Sequence, residues 1–181
     1  MIEVEKKFSL ENIDLDKFLG DLDFLGEVLN HDIYYDYPDY RLLKNKIYLR
    51  NRNGNFELKI KQGSGVYQEI EDENKIADYF KVSSLKDFVN KDLHGCMDIK
   101  NNRKKYKKED FHIDIDDMDF GYKEGEIELL VETEEEIKNA EERIYEFFKK
   151  YNLEKLHEDT SKKRVYLKTK RPDLYKIFYE K

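Results

Sequence analysis

Tryptophan is absent from this 181-residue chain, cysteine occurs once, as Cys96, and proline twice. A single thiol rules out an internal disulfide framework and fits a reducing compartment. No apolar run approaches the ~18–20 residues that span a bilayer, and no basic segment followed by an apolar one opens the chain. These absences predict a soluble, cytoplasmic protein without a membrane role. Apolar residues are also scarce, at 39% against 41% charged, yet 14% are aromatic and recur periodically, which argues against disorder. The net charge of −7 argues against general affinity for nucleic acid or anionic lipid. The length fits one domain, 1–181, with room for a proper core.

What is present is alternation. In "IEVEKKF" (2–8) Ile2, Val4 and Phe8 face one way, broken only by Lys6, while Glu3, Glu5 and Lys7 face the other, as side chains do along a β-strand. The following stretch has helical spacing, with Ile13, Leu15, Phe18, Leu19, Leu22 and Leu25, and predicts a helix over 14–27. "HDIYYDY" (31–37) reads as a strand that stops at Pro38-Asp39. "KIYLRNRNGNFELKIKQ" reads as a hairpin turning at Asn53-Gly54. Residues 66–72 give another strand, 74–93 a pair of short helices parted near Ser83-Ser84, and 95–121 two strands that turn near Glu109. A strand over 125–132 then leads to a helix with Thr133 and Glu136 placed as a capping box. The tail is helical around Pro172.

Charge recurs on one face of each strand. Tyr48, Arg50 and Arg52 oppose Ile47 and Leu49; Glu57, Lys59 and Lys61 oppose Phe56, Leu58 and Ile60; Tyr67, Glu69 and Glu71 share a face. Arg103 and Lys105 lie two apart, as do Asp114 and Asp116, and Glu126 and Glu128 oppose Ile127, Leu129 and Val131. Any one such strand is ordinarily half-buried, with its charges in water. The set differs, because interleaved amphipathic helices must cover the apolar faces and leave the charged faces inside. Nearly single-sign rows of carboxylates and of Arg/Lys then suit a metal-bound polyanion: carboxylates for hard cations, bases for phosphate oxygens. A closed antiparallel barrel of about eight strands encloses such a lumen.

The ordered series "EVEKK", "YYDYPDYRLL", "YLRNR", "LKIK", "YQEIE", "DIDDMDFGYKEGEIELLVE" and "SKKRVYLKTKRPDLYKIF" resembles the CYTH superfamily of triphosphate tunnel metalloenzymes over nearly the whole chain. The last two blocks look more like its thiamine triphosphatase branch than its class IV adenylyl cyclase branch. The resemblance implies an α+β fold, a closed eight-stranded antiparallel β-barrel with a charged lumen and helices outside. It implies metal-dependent hydrolysis of a triphosphate, inorganic tripolyphosphate or an organic one such as thiamine triphosphate, to diphosphate and phosphate. The alternatives are a cyclase that makes cyclic AMP and pyrophosphate from ATP, and a non-catalytic polyphosphate- or nucleotide-binding module. Carried over by motif, Glu3, Glu5, Asp114, Asp116, Glu126 and Glu128 are implied ligands of Mg²⁺ or Mn²⁺. Lys7, Arg50, Arg52, Lys59, Lys61, Arg103, Lys105 and Lys162 are implied phosphate contacts, and Glu5, Asp116 and Lys7 implied catalytic residues. Glu69 and Glu71 are read as orienting the bases. Vertebrate-type thiamine triphosphatases carry tryptophan where this chain has Tyr48, whose ring remains able to stack on a thiazolium. The expected partner is the small triphosphate, with no nucleic acid or membrane, and a homodimer is compatible with this reading. His31, His94, His112 and His157 show no metal-ligand spacing, and Cys96 has no partner for a catalytic thiol.

Overall fold

The structure, a computed structural model, describes residues 2–157 and 160–180. Its strands are β1 (Ile2–Phe8), β2 (Asp23–Asp36), β3 (Ile47–Arg52), β4 (Asn55–Gly63), β5 (Val66–Ile70), β6 (His94–Lys108), β7 (Phe111–Met118) and β8 (Lys123–Val131). They close into an antiparallel barrel in the order β1-β5-β4-β3-β2-β6-β7-β8. Helices α1 (Leu15–Gly20), α2 (Arg41–Lys44), α3 (Glu73–Phe80), α4 (Leu85–Asp92), α5 (Ile137–Tyr151), α6 (Lys162–Lys170) and α7 (Pro172–Tyr179) pack around it. None is long and apolar enough to cross a membrane.

Strand alternation sends the apolar residues outward onto the helices. Val4, Phe8, Ile113 and Ile127 meet Phe18 of α1 and Ile144, Phe147 and Phe148 of α5. On the other flank Leu49, Phe56 and Leu58 pack on Ile76 of α3 and Leu85, Phe88 and Val89 of α4. A third cluster joins Tyr34, Met97 and Ile99 to Tyr166 and Leu167 of α6 and Leu174 of α7. Tyr34 alternates in step with Asp32, and Ile99 with Arg103, so this cluster sits on the charged side of the wall, where α6 and α7 cover it.

Local signals act as the residue types dictate. Asn53 and Gly54 take φ of 51° and 98°, the pair of positive values a tight hairpin turn requires. Asp72 and Ser84 cap α3 and α4 by accepting from the Lys75 and Asp87 amides. Thr133 and Glu136 form the capping box.

The largest departure from the sequence pattern is at the start of β2. The helix expected over 14–27 ends at Gly20, and β2 begins at Asp23 rather than near 31. Asp14 caps this short helix through the Lys17 amide, but from Asp23 onward the backbone pairs with β6 along a ladder that reaches Asp36↔His94. Ladder hydrogen bonds win over helical periodicity, and a bulge between Phe24 and Gly26 absorbs the misfit. Leu25, counted in the helical spacing, is exposed, as are its neighbours Phe24 and Leu29.

Two glycines set β1 in place. A Cβ on Gly65 would lie 2.3 Å from the Glu5 carbonyl oxygen, and the Glu5 amide donates to the Gly65 carbonyl at 2.7 Å. Gly125 pairs with Phe8, and a Cβ there would lie 2.1 Å from the Phe8 ring. That ring is fully buried between Phe18 and Phe148 and has nowhere to go. Gly125→Ala is therefore expected to cost about 3 kcal/mol or more, read as a fall in Tm. An unchanged Tm would show that the ring is not wedged there.

Candidate functional site

The lumen is a cavity of about 1010 Å³ with charged walls. Every strand contributes. Glu3, Glu5, Lys7, Tyr48, Arg50, Arg52, Lys59, Lys61, Arg103, Lys105, Asp114, Glu126, Glu128 and Lys162, all singled out from sequence, line it, as do Glu69 and Glu71. Asp116 stands behind this lining, fully buried.

Carboxylates concentrate where β1 meets β8. One carboxylate oxygen from each of Glu3, Glu5 and Glu126 lies within 4.8 Å of the others. Register places Glu5 opposite Glu128 and Asp114 opposite Glu126. Burial raises the Glu128 carboxyl, and Glu3, Glu126 and Asp114 add to it, so it is pushed up to about 8. Burial likewise raises Asp114 despite Arg103 beside it, and its Oδ1 has no hydrogen-bond partner among the described residues. Burial also acts to raise Glu5, but the Lys7 and Lys59 ammoniums outweigh it and hold that carboxyl low.

The bases sit among these acids in three groups. Lys59 Nζ lies between Glu3 (2.6 Å) and Glu5 (2.8 Å). Lys7 Nζ reaches Glu126 at 2.6 Å and approaches Glu124 at 3.5 Å and Glu5 at 3.6 Å. Arg103 forks onto Asp116 at 2.6 and 2.7 Å, touches Asp114, and lies 3.3 Å from Glu126. Across the lumen Arg52 forks onto Asp32 at 2.7 and 2.8 Å, while Arg50 bonds Glu57 and lies 3.6 Å from Glu69. Glu69 thus stands where an orienting group for Arg50 is expected.

The acidic cluster fits a hard divalent cation. All its donors are oxygens, they converge within the span of one coordination shell, and two of them already grip a positively charged nitrogen, that of Lys59. Asp116 differs from the other proposed ligands in standing behind the lining, where Arg103 forks onto both its oxygens and Lys162 approaches at 3.5 Å.

Three residues beyond the sequence reading enter the site. Glu124 is fully buried beside Lys7 and Lys162, at 3.5 and 3.8 Å. The alternation Glu124, Glu126, Glu128 contains it, but a strand begun at 125 leaves it out. Asp32 anchors Arg52, and the alternation in "HDIYYD" carried that signal. Lys163 lies beside Lys162 with its Nζ 3.0 Å from the centroid of the Tyr48 ring, and no strand pattern reports on it.

A closed antiparallel barrel with facing acidic and basic rows in its lumen defines the tunnel class that the motif series resembles. The CYTH domain model matches residues 1–161, and the chain belongs to that family. Human thiamine-triphosphatase is 28% identical over 213 aligned residues, which cover 99% of this chain and 90% of that protein. A Pyrococcus horikoshii structure superposes with a TM-score of 0.63 at 22% identity, over 86% of this chain and 93% of its own. A Hippeastrum protein that carries an adenylyl cyclase label and shows a dominant triphosphatase activity superposes with a TM-score of 0.60 at 18% identity, over 92% and 95%.

Proposed function

We propose that the protein hydrolyses a triphosphate to diphosphate and phosphate with the help of Mg²⁺ or Mn²⁺. The carrying observation is the convergence of Glu3, Glu5 and Glu126 within 4.8 Å in a lumen whose other walls present Arg50, Arg52, Lys59 and Arg103. Buried ion pairs contribute little net stability against an apolar filling of the same volume. A lumen built from them is better explained by a ligand that trades places with the pairs. A triphosphate takes the bases and a cation takes the acids.

Phosphoryl transfer needs positioning and charge stabilisation more than covalent help. Arg50, Arg52 and Arg103 supply planar forks for phosphate oxygens, and Lys7, Lys59 and Lys162 supply point charges. Glu57, Asp32 and Asp116 hold the three forks in place before substrate arrives, which lowers the cost of organising them. Glu3, Glu5 and Glu126 would hold the cation, with Glu128 and Asp114 adjoining. Bound there, it would neutralise phosphate charge and acidify a water. The likeness to human thiamine-triphosphatase supports the hydrolytic reading.

The test is product analysis with tripolyphosphate, thiamine triphosphate and ATP, each with Mg²⁺ and with Mn²⁺, and with Glu126→Gln as control. Orthophosphate release that the control loses by at least about 100-fold, the scale of one lost electrostatic contact, is the expected result. Cyclic AMP with pyrophosphate would make the protein a cyclase, and no turnover would leave a binding module.

A further inference from the structure

Lys163 stands apart from the paired bases of the lumen. Lys7, Arg50, Arg52, Lys59, Arg103 and Lys162 each pair with a carboxylate, whereas Lys163, partly buried, has neither a hydrogen bond nor an ion pair with the described residues. Its Nζ lies over the face of Tyr48, 3.0 Å from the ring centroid. Tyr48 is the aromatic side chain that sequence marks as able to stack on an organic group. That face therefore already carries the protein's own amine. Burial, then the nearby Lys59 ammonium, push the Lys163 amine well below the usual lysine range. An anion would give it the charge partner it lacks among the described residues.

We infer that Lys163 is a specificity-determining residue that favours a triphosphate ending in a free phosphate over one esterified to a cationic aromatic group. An inorganic tripolyphosphate carries an extra ionisable oxygen where an ester carries carbon, and Lys163 supplies an unengaged donor for it. A thiazolium ring meets the reverse: a Tyr48 face on which the Lys163 amine already sits. The inference rests on the triphosphatase reading and narrows its substrate to the inorganic class.

The experiment compares kcat/KM for tripolyphosphate and for thiamine triphosphate in the wild type, Lys163→Met and Lys163→Arg. The wild type is expected to prefer tripolyphosphate. Lys163→Met is expected to shift the ratio of the two kcat/KM values at least 10-fold toward thiamine triphosphate, and Lys163→Arg to hold it. A general loss of stability would lower both values together and leave the ratio alone. An unchanged ratio in Lys163→Met, or a wild-type preference for thiamine triphosphate, overturns the inference while triphosphatase activity stands. If the wild type hydrolyses neither compound, the triphosphatase reading falls. Calorimetric titration of both compounds then decides on Lys163 by the same ratio, read in Kd.

Discussion

Arg103→Met is expected to lower stability by about 3–5 kcal/mol at pH 7, the usual penalty for stranding a buried charge. The guanidinium stands among Asp114, Asp116 and Glu126, all buried, and its fork supplies two of the short bonds to Asp116. Burial opposes ionisation of Asp116, yet Lys162 and Arg103 hold its carboxyl far below the ordinary aspartate value of 3.8. The sign follows from linkage. A carboxyl depressed in the folded state adds stability that is complete above its unfolded pKa and fades as pH falls through the folded one. The gap in Tm between wild type and variant should therefore be widest near neutrality and narrow below about pH 4. Arg103→Lys should recover part of the stability, since it keeps the charge and loses the fork. Turnover of Arg103→Met should fall by about 2–4 kcal/mol of barrier, or roughly 30- to 1000-fold. A Tm gap that stays constant from pH 7 to pH 3.5 would show that the carboxylates do not depend on Arg103.

This dependence of acids on bases explains what the sequence disclosed and what it withheld. Alternation has a period of two, so it announces which side chains share a face, and a closed sheet turns one face into a lumen. Glu3, Glu5, Lys59, Arg103 and Glu126 were legible on those grounds, and so was the outward core of Val4, Leu58 and Ile127. Alternation says nothing about which acid meets which base. That Lys59 lies between Glu3 and Glu5, 56 and 54 positions away in the chain, depends on β5 joining β1 to β4. The helix misread at 14–27 failed for a related reason. Leu25, counted in the helical spacing, follows no inward-facing rule, because that part of the β2–β6 ladder leaves it exposed. Lys163 was hidden because a base on a helix gives no parity signal, and its role comes from where α6 packs against β3.

A cation site and a bare cluster of acids differ in how their stability responds to pH. In the metal-free protein Glu128 titrates near 8, raised first by burial and then by Glu3, Glu126 and Asp114. Between its unfolded value of 4.5 and about 8 the folded state binds the extra proton, so this group's contribution to stability falls as pH rises through that window. At 1.36 kcal/mol per pKa unit the loss approaches roughly 4 kcal/mol by pH 8. Lys163 works the other way, since an amine depressed in the folded state favours folding as pH rises. The two are separated by the difference between wild type and Glu128→Gln, to which Lys163 contributes equally on both sides. Without metal, Glu128→Gln should be the more stable protein at pH 8 and nearly equal to wild type at pH 5, read by Tm. Added Mg²⁺ should raise the wild-type Tm more at pH 8 than at pH 6, because a cation and a proton compete for the same crowded oxygens. The variant should lose most of that pH dependence. A Mg²⁺ shift in Tm that is equal at both pH values and equal in both proteins would place the cation away from Glu128, and would leave the acids of β1 and β8 as partners of Lys7, Lys59 and Arg103 alone.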